Sequence, residues 1–240
     1  MPAAGRRLAA NLGACALGVG TVAGLAFVAF PDLDLGASRA FLVGGSTFAG
    51  QSLGWVHVLR NFFVGAFYLG VAISLAGLVV TRGRARSWLR LTGAQWLFLA
   101  LCLVMRPGIV ANVVLKDHWG RARPKQVAEF GGAKTFTPPL LPSDQCAHNC
   151  SFVSGEAASI FMPLYAAGLV MPQWSAVLLA AGTLCGFAAG LVRMSQGAHF
   201  LSDVVFAGVF MALTAVLVHR AVFGRVPIDA PDGSALANAP

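Results

Sequence analysis

Charged residues are scarce in this chain: they make up 11% of the 240 residues, and only 9 residues are acidic. A soluble domain of this size carries about 25% charged residues. Hydrophobic residues make up 57% of the chain, and the mean hydropathy is +0.73. This composition excludes an ordinary soluble enzyme and predicts one all-α domain embedded in a membrane.

A pattern typical of nucleic-acid binding is also missing, although the net charge is +8. The arginines fall in short clusters at the ends of apolar segments, and aromatic residues do not alternate with them. An extended basic surface for nucleic acid would need both features. We therefore expect no nucleic-acid partner.

Six apolar segments, each near the ~20 residues that cross a bilayer, predict a polytopic protein with six transmembrane helices. Their approximate bounds are 8–30, 62–80, 96–115, 155–170, 174–192 and 200–223. The first segment also resembles a signal peptide. It is long for one, however, and no small-residue cleavage site follows it, which favours a retained helix.

The short arginine-rich connections predict the orientation of these helices. Arg6 and Arg7 precede the first segment, four arginines lie between positions 82 and 90, and Arg220 and Arg225 end the last segment. Positive charge marks the cytoplasmic side, so both termini are expected there. The predicted domain covers residues 1–225 of a bacterial inner-membrane protein, and 226–240 is expected to be a disordered cytoplasmic tail.

Three polar clusters lie on the opposite, periplasmic side of this topology. They occupy positions 116–124, 151–156 and 193–203, within predicted active-site loops at about 116–156 and 193–203. Ionisable residues at membrane depth are functional candidates, because burying them in a bilayer is unfavourable.

A histidine and a carboxylate in the third cluster predict nucleophilic chemistry. His199 and Asp203 are four residues apart, so they share one face of a helix. A carboxylate on one ring nitrogen fixes the tautomer and leaves the other nitrogen able to attack phosphorus.

The other clusters supply groups that suit a phosphate. Lys116, Arg123 and Arg193 can neutralise phosphoryl oxygens. Ser154 and Gly155 open a predicted helix, whose first N–H groups favour an anion. Four further residues are candidate substrate contacts: His118, Arg121, Lys125 and His148. Of these, Arg121 and Lys125 equally fit contacts with lipid headgroups.

Two of the five cysteines, Cys146 and Cys150, flank three residues of the long outer loop. In an oxidising compartment they can form a local disulfide that braces this loop. The alternative is a zinc site with His148, which lacks a clear fourth ligand.

The chain resembles the type 2 phosphatidic acid phosphatase superfamily of membrane lipid phosphatases. The first part of that signature, Lys-x6-Arg-Pro, matches Lys116 to Pro124, and the third, Ser-Arg-x5-His-x3-Asp, matches from Arg193 to Asp203. The second, Pro-Ser-Gly-His, matches only at its serine and glycine. The departures from the signature are Val153, Glu156 and Val192.

The resemblance implies a six-helix membrane fold and a phosphohistidine intermediate that water hydrolyses, with neither metal nor cofactor. It implies that His199 is the nucleophile and Asp203 its orienting partner. The implied phosphate binders are Lys116, Arg123, Ser154, Gly155 and Arg193.

Glu156 stands where the family has the histidine that protonates the leaving group. Glu156 itself is one candidate acid, although nearby cations oppose its protonation. His118 or His148 are others, and a good leaving group needs little acid help. A protein without activity is the fourth possibility.

The expected substrate is a membrane lipid phosphate. Candidates are phosphatidic acid, phosphatidylglycerol phosphate, undecaprenyl diphosphate and lipid A, and the cationic loop favours the last two. A lipid phosphotransferase and a non-catalytic protein that binds or transports anionic lipids are the alternatives. The sequence does not indicate an oligomeric state.

Overall fold

The computed structural model describes residues 3–82, 87–105 and 119–224. These residues form seven α-helices and one short hairpin. The helices are α1 (Ala3–Ala29), α2 (Asp32–Arg39), α3 (Gly54–Val80), α4 (Gly93–Met105), α5 (Gly155–Val170), α6 (Ser175–Ser195) and α7 (Leu201–Phe223). The hairpin pairs β1 (Leu42–Val43) antiparallel with β2 (Thr47–Phe48).

Four of the helices are long and apolar enough to cross a membrane. The spans are Gly5–Ala29, Gly54–Val80, Pro172–Ser195 and Leu201–Phe223. Their outer faces carry exposed aliphatic side chains, such as Leu25 (70% exposed) and Leu184 (72% exposed), which suit contact with lipid. The protein is therefore a multi-pass membrane protein. Two more apolar helices, α4 and α5, are shorter. The presence of six membrane spans therefore stays a prediction.

Two helices, α5 and α7, form the centre of the molecule. Most of α7 is buried, and α5 packs between α6 and α7. Phe161 on α5 lies against Gly186 of α6 and Gly208 of α7, where the missing side chains let the helices approach closely. This packing brings the first residues of α5 and α7 together at one end of the bundle.

The segment between α1 and α3 differs most from the expectation. This segment forms the short helix α2 and the hairpin, and the hairpin was not predicted. Helix α3 begins at Gly54, eight residues before the predicted start at 62. Positions 106–118, which hold Lys116 and His118, and the predicted tail 226–240 lie outside the described residues.

Candidate active site

His199 lies in the turn that joins α6 to α7. The turn reverses the chain through Gly197, whose φ of +63° favours glycine. A Cβ at this position would also meet the ring of Phe48 at 2.5 Å. The turn places His199 just before α7, with only 2% of its surface exposed.

The His199 ring is oriented first by a backbone carbonyl. Its Nδ1 atom lies 2.7 Å from the Ser151 carbonyl oxygen, whereas Asp203 Oδ2 is 3.7 Å away. Because a carbonyl oxygen only accepts, Nδ1 carries the proton in the neutral ring and Nε2 carries the lone pair. The Ser151 carbonyl therefore makes the shorter contact to the ring, whereas the sequence predicted the orienting role for Asp203.

Asp203 occupies the third position of α7 and is completely buried. Its Oδ2 atom accepts hydrogen bonds from the Phe200 N–H at 2.8 Å and from the Ser151 hydroxyl. Its Oδ1 atom accepts from Arg121 Nη1 at 2.5 Å. These bonds hold an ionised carboxylate beside the imidazole, where it stabilises positive charge on the ring.

Arg121 is completely buried in protein, which corrects its assignment as a candidate substrate contact. Its exposure is 0%. Its guanidinium donates to Asp203, to Asp34 Oδ2 at 2.8 Å, to Ser202 Oγ at 2.8 Å and to the Thr137 carbonyl at 2.8 Å. The donors of this side chain are directed at protein acceptors, so we assign Arg121 to the support of Asp203.

Asp34 on α2 completes this buried cluster. Its Oδ1 atom accepts from the Ser202 N–H at 2.8 Å, and Oδ2 accepts from the Ser202 hydroxyl at 2.5 Å. Burial raises the pKa of the Asp34 carboxyl, and the positive charge of Arg121 opposes that shift. The cluster therefore ties α2, the outer loop and the start of α7 together behind His199.

Arg123 is positioned by the loop that Cys146 and Cys150 close. The structure joins these cysteines by a disulfide with their Cα atoms 5.6 Å apart. Asn149, inside the closed loop, has φ +52° and accepts from Arg123 Nη2 at 2.7 Å through both its backbone and side-chain oxygens. Burial lowers the pKa of Arg123, and Glu156 and Asp203 oppose the shift; the guanidinium stays charged.

Ser154 and Gly155 begin α5 next to the first turn of α7. Ser154 is the N-cap: its hydroxyl accepts from the Ala157 N–H at 3.4 Å, and its own N–H donates to the Asp203 carbonyl at 3.1 Å. The first N–H groups of a helix have no partner within the helix and carry partial positive charge. The start of α5 therefore suits an anion at this end of the bundle.

Glu156 is held by two arginines. Arg60 on α3 contacts Glu156 Oε1 through Nε at 2.8 Å and through Nη2 at 2.7 Å, and Arg193 at the end of α6 forms an ion pair with Oε2. Two cations favour the ionised carboxylate, which has no proton to donate. This geometry opposes the predicted acid role of Glu156.

A family model described as the PAP2 superfamily matches residues 95–227, more than half of the chain. The chain belongs to the PAP2 superfamily. It is 36% identical over 213 residues to a lipid A 4′-phosphatase of Francisella tularensis subsp. novicida, covering 83% of this chain and 90% of that protein. A lipid A 4′-phosphatase of Rhizobium leguminosarum is 35% identical over 209 residues, covering 79% and 89%.

Two further similarities are informative for the PAP2 assignment. A lipid A 1-phosphatase of Rhizobium etli is 35% identical over 138 residues, covering 56% of this chain and 54% of that protein. The crystal structure of a transmembrane PAP2 type phosphatidylglycerolphosphate phosphatase from Bacillus subtilis superposes with a TM-score of 0.51 at 16% identity, covering 92% of this chain and 98% of that one. The latter supports the fold, and the family makes the protein a phosphatase of the hydrolase class.

The remaining predicted residues of this PAP2 protein are placed as follows. Lys125 and His148 are exposed on the outer loop. Lys116 and His118 lie outside the described residues. Among the residues that the structure describes, no group of three or more His, Cys, Asp or Glu side chains is arranged to bind a metal. The disulfide takes both cysteines of the alternative zinc site.

Sequence reasoning missed several residues that shape the site. Asp34, Ser151 and Ser202 support His199 and Asp203, Asn149 holds Arg123, and Arg60 holds Glu156. Two of them had a detectable signal. Arg60 is an isolated charge beside an apolar segment, and Asp34 lies with Asp32 in a short acidic segment after an apolar run; such charges indicate function or a buried partner.

Proposed function

We propose that this protein hydrolyses a phosphate monoester of lipid A, with His199 as the nucleophile. The observation that carries the proposal is the 2.7 Å contact between His199 Nδ1 and the Ser151 carbonyl oxygen. This contact assigns the proton to Nδ1 and the lone pair to Nε2. A buried histidine with a fixed lone pair, next to an anion-binding helix start, is equipped for covalent phosphoryl transfer.

In the proposed first step, Nε2 of His199 attacks phosphorus and the bond from phosphorus to the lipid oxygen breaks. The ring becomes positively charged, and Asp203, 3.7 Å from Nδ1, stabilises that charge. Arg123, Arg193 and the start of α5 stabilise the phosphoryl oxygens. In the second step, water attacks phosphorus and the bond to Nε2 breaks. This step releases inorganic phosphate and one proton and restores the neutral histidine.

The leaving oxygen needs a proton from an acid other than the ionised Glu156. We propose that Glu156 positions Arg193 and Arg60, because its carboxylate forms an ion pair with each of them. His148 is exposed on the neighbouring loop and is the described candidate acid; His118 is the other candidate of the sequence.

The 4′-phosphate is the position that the relatives favour. The two lipid A 4′-phosphatases match over 83% and 79% of the chain, whereas the 1-phosphatase matches over 56%. We also propose that the site faces the periplasm at the bacterial inner membrane, since arginine-rich connections mark the other side as cytoplasmic.

The test is phosphate release from lipid A by purified protein in a neutral detergent, with mass spectrometry of the lipid product. The expected product lacks one phosphate, at the 4′ position, and His199→Ala releases none while keeping its thermal unfolding midpoint. Wild-type protein quenched during turnover is expected to carry acid-labile, alkali-stable phosphate. Full activity of folded His199→Ala would refute the nucleophile assignment.

The same assay separates hydrolysis from transfer to another lipid. A hydrolase releases inorganic phosphate from a single lipid species in micelles, whereas a phosphotransferase needs an acceptor lipid. Lys134 is an exposed lysine of the outer loop. Its replacement with Gln is a control for substitution at an exposed position and should keep wild-type activity.

A further inference from the structure

A cationic pocket lies between α3 and the turn that joins α6 to α7, next to His199. It has a volume of about 260 Å³, and its lining residues are Gln51, His57, Arg60, Lys125, Arg193, Gln196 and Ala198. None of these residues is acidic. Its volume is below the roughly 300–1,000 Å³ of sites for drug-sized ligands, so it suits one small polar group.

The walls of this cationic pocket are connected by hydrogen bonds. Gln51 Nε2 donates to the Gln196 carbonyl at 3.2 Å, and the Lys125 N–H donates to the Gly197 carbonyl at 3.1 Å. Gly50 lets its chain approach α6 closely, because a Cβ there would lie 2.3 Å from Ser195 Oγ. The pocket is thus built from three separate segments that are tied to the turn before His199.

The charges of the pocket favour an anion. Three permanent cations line it, Arg60, Lys125 and Arg193. Glu156 lies outside the lining and pairs with two of these cations, Arg60 and Arg193. Three positive charges and one negative charge leave an excess of two. The Arg193 side chain is only 13% exposed, so solvent screens its charge weakly.

We propose that the cationic pocket binds a second oxyanion, a phosphate or a sugar carboxylate, of the same headgroup whose phosphate His199 attacks. This inference rests on the proposed function. Arg193 lines the pocket and belongs to the phosphate-binding set, and Ala198 in the lining precedes His199. A single headgroup can therefore occupy both places. The pocket gives the enzyme a preference for lipids with more than one acidic group.

Binding to a His199→Ala protein tests the pocket independently of turnover. The probes in neutral detergent are lipid A with one phosphate at the 4′ position, lipid A with two phosphates, and the one-phosphate form with an attached acidic sugar. Since a hydrogen bond to a charged group contributes enough to change affinity about tenfold or more, at least one second oxyanion should tighten binding about tenfold. Lys125→Gln should reduce that advantage to less than threefold, and the matched Lys134→Gln change should not.

Inorganic phosphate separates the two sources of such an oxyanion. In one outcome, Lys125→Gln weakens the binding of inorganic phosphate while the three lipids bind equally well. In that case the pocket holds released phosphate instead of a second oxyanion of the headgroup, and the proposal is overturned. Equal affinity for the three lipids, with phosphate binding unaffected by Lys125→Gln, would overturn the proposal. Hydrolysis of one-phosphate lipid A by protein with His199 intact is measured in parallel. If no hydrolysis is observed, this result counts against the proposed function alone, because the binding comparison does not depend on hydrolysis.

Discussion

Replacing Arg121 with Met should destabilise the protein strongly. The guanidinium lies between two carboxylates, at 2.8 Å from Asp34 and 2.5 Å from Asp203, and all three side chains are at most 1% exposed. Removing one partner of a buried ion pair costs about 3–5 kcal/mol, because the remaining charge is left without compensation. Here two carboxylates lose their cation, so we expect the upper part of that range.

The free energy of unfolding can be measured by titrating the purified protein from neutral detergent into denaturing detergent, with far-ultraviolet circular dichroism as the signal. Lys134→Met is the matched control, since it also removes one cation from the outer loop but at an exposed position. That control should change stability by less than about 0.5 kcal/mol.

A second substitution tests the assigned cause. Asp34→Asn added to Arg121→Met removes one of the two uncompensated charges, so the double variant should be more stable than the sum of the single effects predicts. Coupling of about 0.5–3 kcal/mol is typical of groups in contact. If Arg121→Met loses no more stability than Lys134→Met, or if the two effects simply add, the buried cluster does not have the role described for it.

Three other predictions follow from the site. Glu156→Gln removes the carboxylate that positions Arg60 and Arg193, so the inhibition constant of inorganic phosphate should rise several-fold; a decrease would indicate that the carboxylate mainly opposes anion binding through its charge. Ser151→Ala removes the hydroxyl donor to Asp203 but keeps the carbonyl that orients His199. Its kcat should fall by about tenfold or less with KM nearly constant, and complete inactivation would contradict this division of roles. Replacing both Cys146 and Cys150 with Ser should lower stability by about 2 kcal/mol for such a short loop and raise KM, because Arg123 loses its anchored partner; an unchanged KM would show that Asn149 is held by other contacts.

The sequence predicted the helices well where apolar runs end at clear signals. The bounds of α5 agree with the predicted 155–170, because Ser154 caps the helix and Pro172 follows its end. Helix α3 was predicted too short, because His57 and Arg60 interrupt the apolar pattern of its first turns. Both residues line the cationic pocket, and a hydropathy pattern does not reveal such a position.

The part of the site that sequence reasoning missed depends on long-range contacts. Asp34 and Ser202 are 168 positions apart, and no local pattern indicates that they meet. Arg121 has the same sequence signature whether it faces substrate or lies buried between carboxylates, so its assignment was wrong. The carbonyl of Ser151 that orients His199 is a backbone group, which residue types do not reveal.

The covalent loop around Asn149 has a consequence for where in the cell this enzyme can work. Arg123 takes its position from oxygens of Asn149, and that residue is enclosed between Cys146 and Cys150. Thiols in the bacterial cytosol stay reduced, whereas the periplasm oxidises them. With the periplasmic orientation proposed above, a newly made chain would lack the covalent support of Arg123 until this loop has crossed the membrane. Full substrate affinity would then develop only in the compartment where the loop can close.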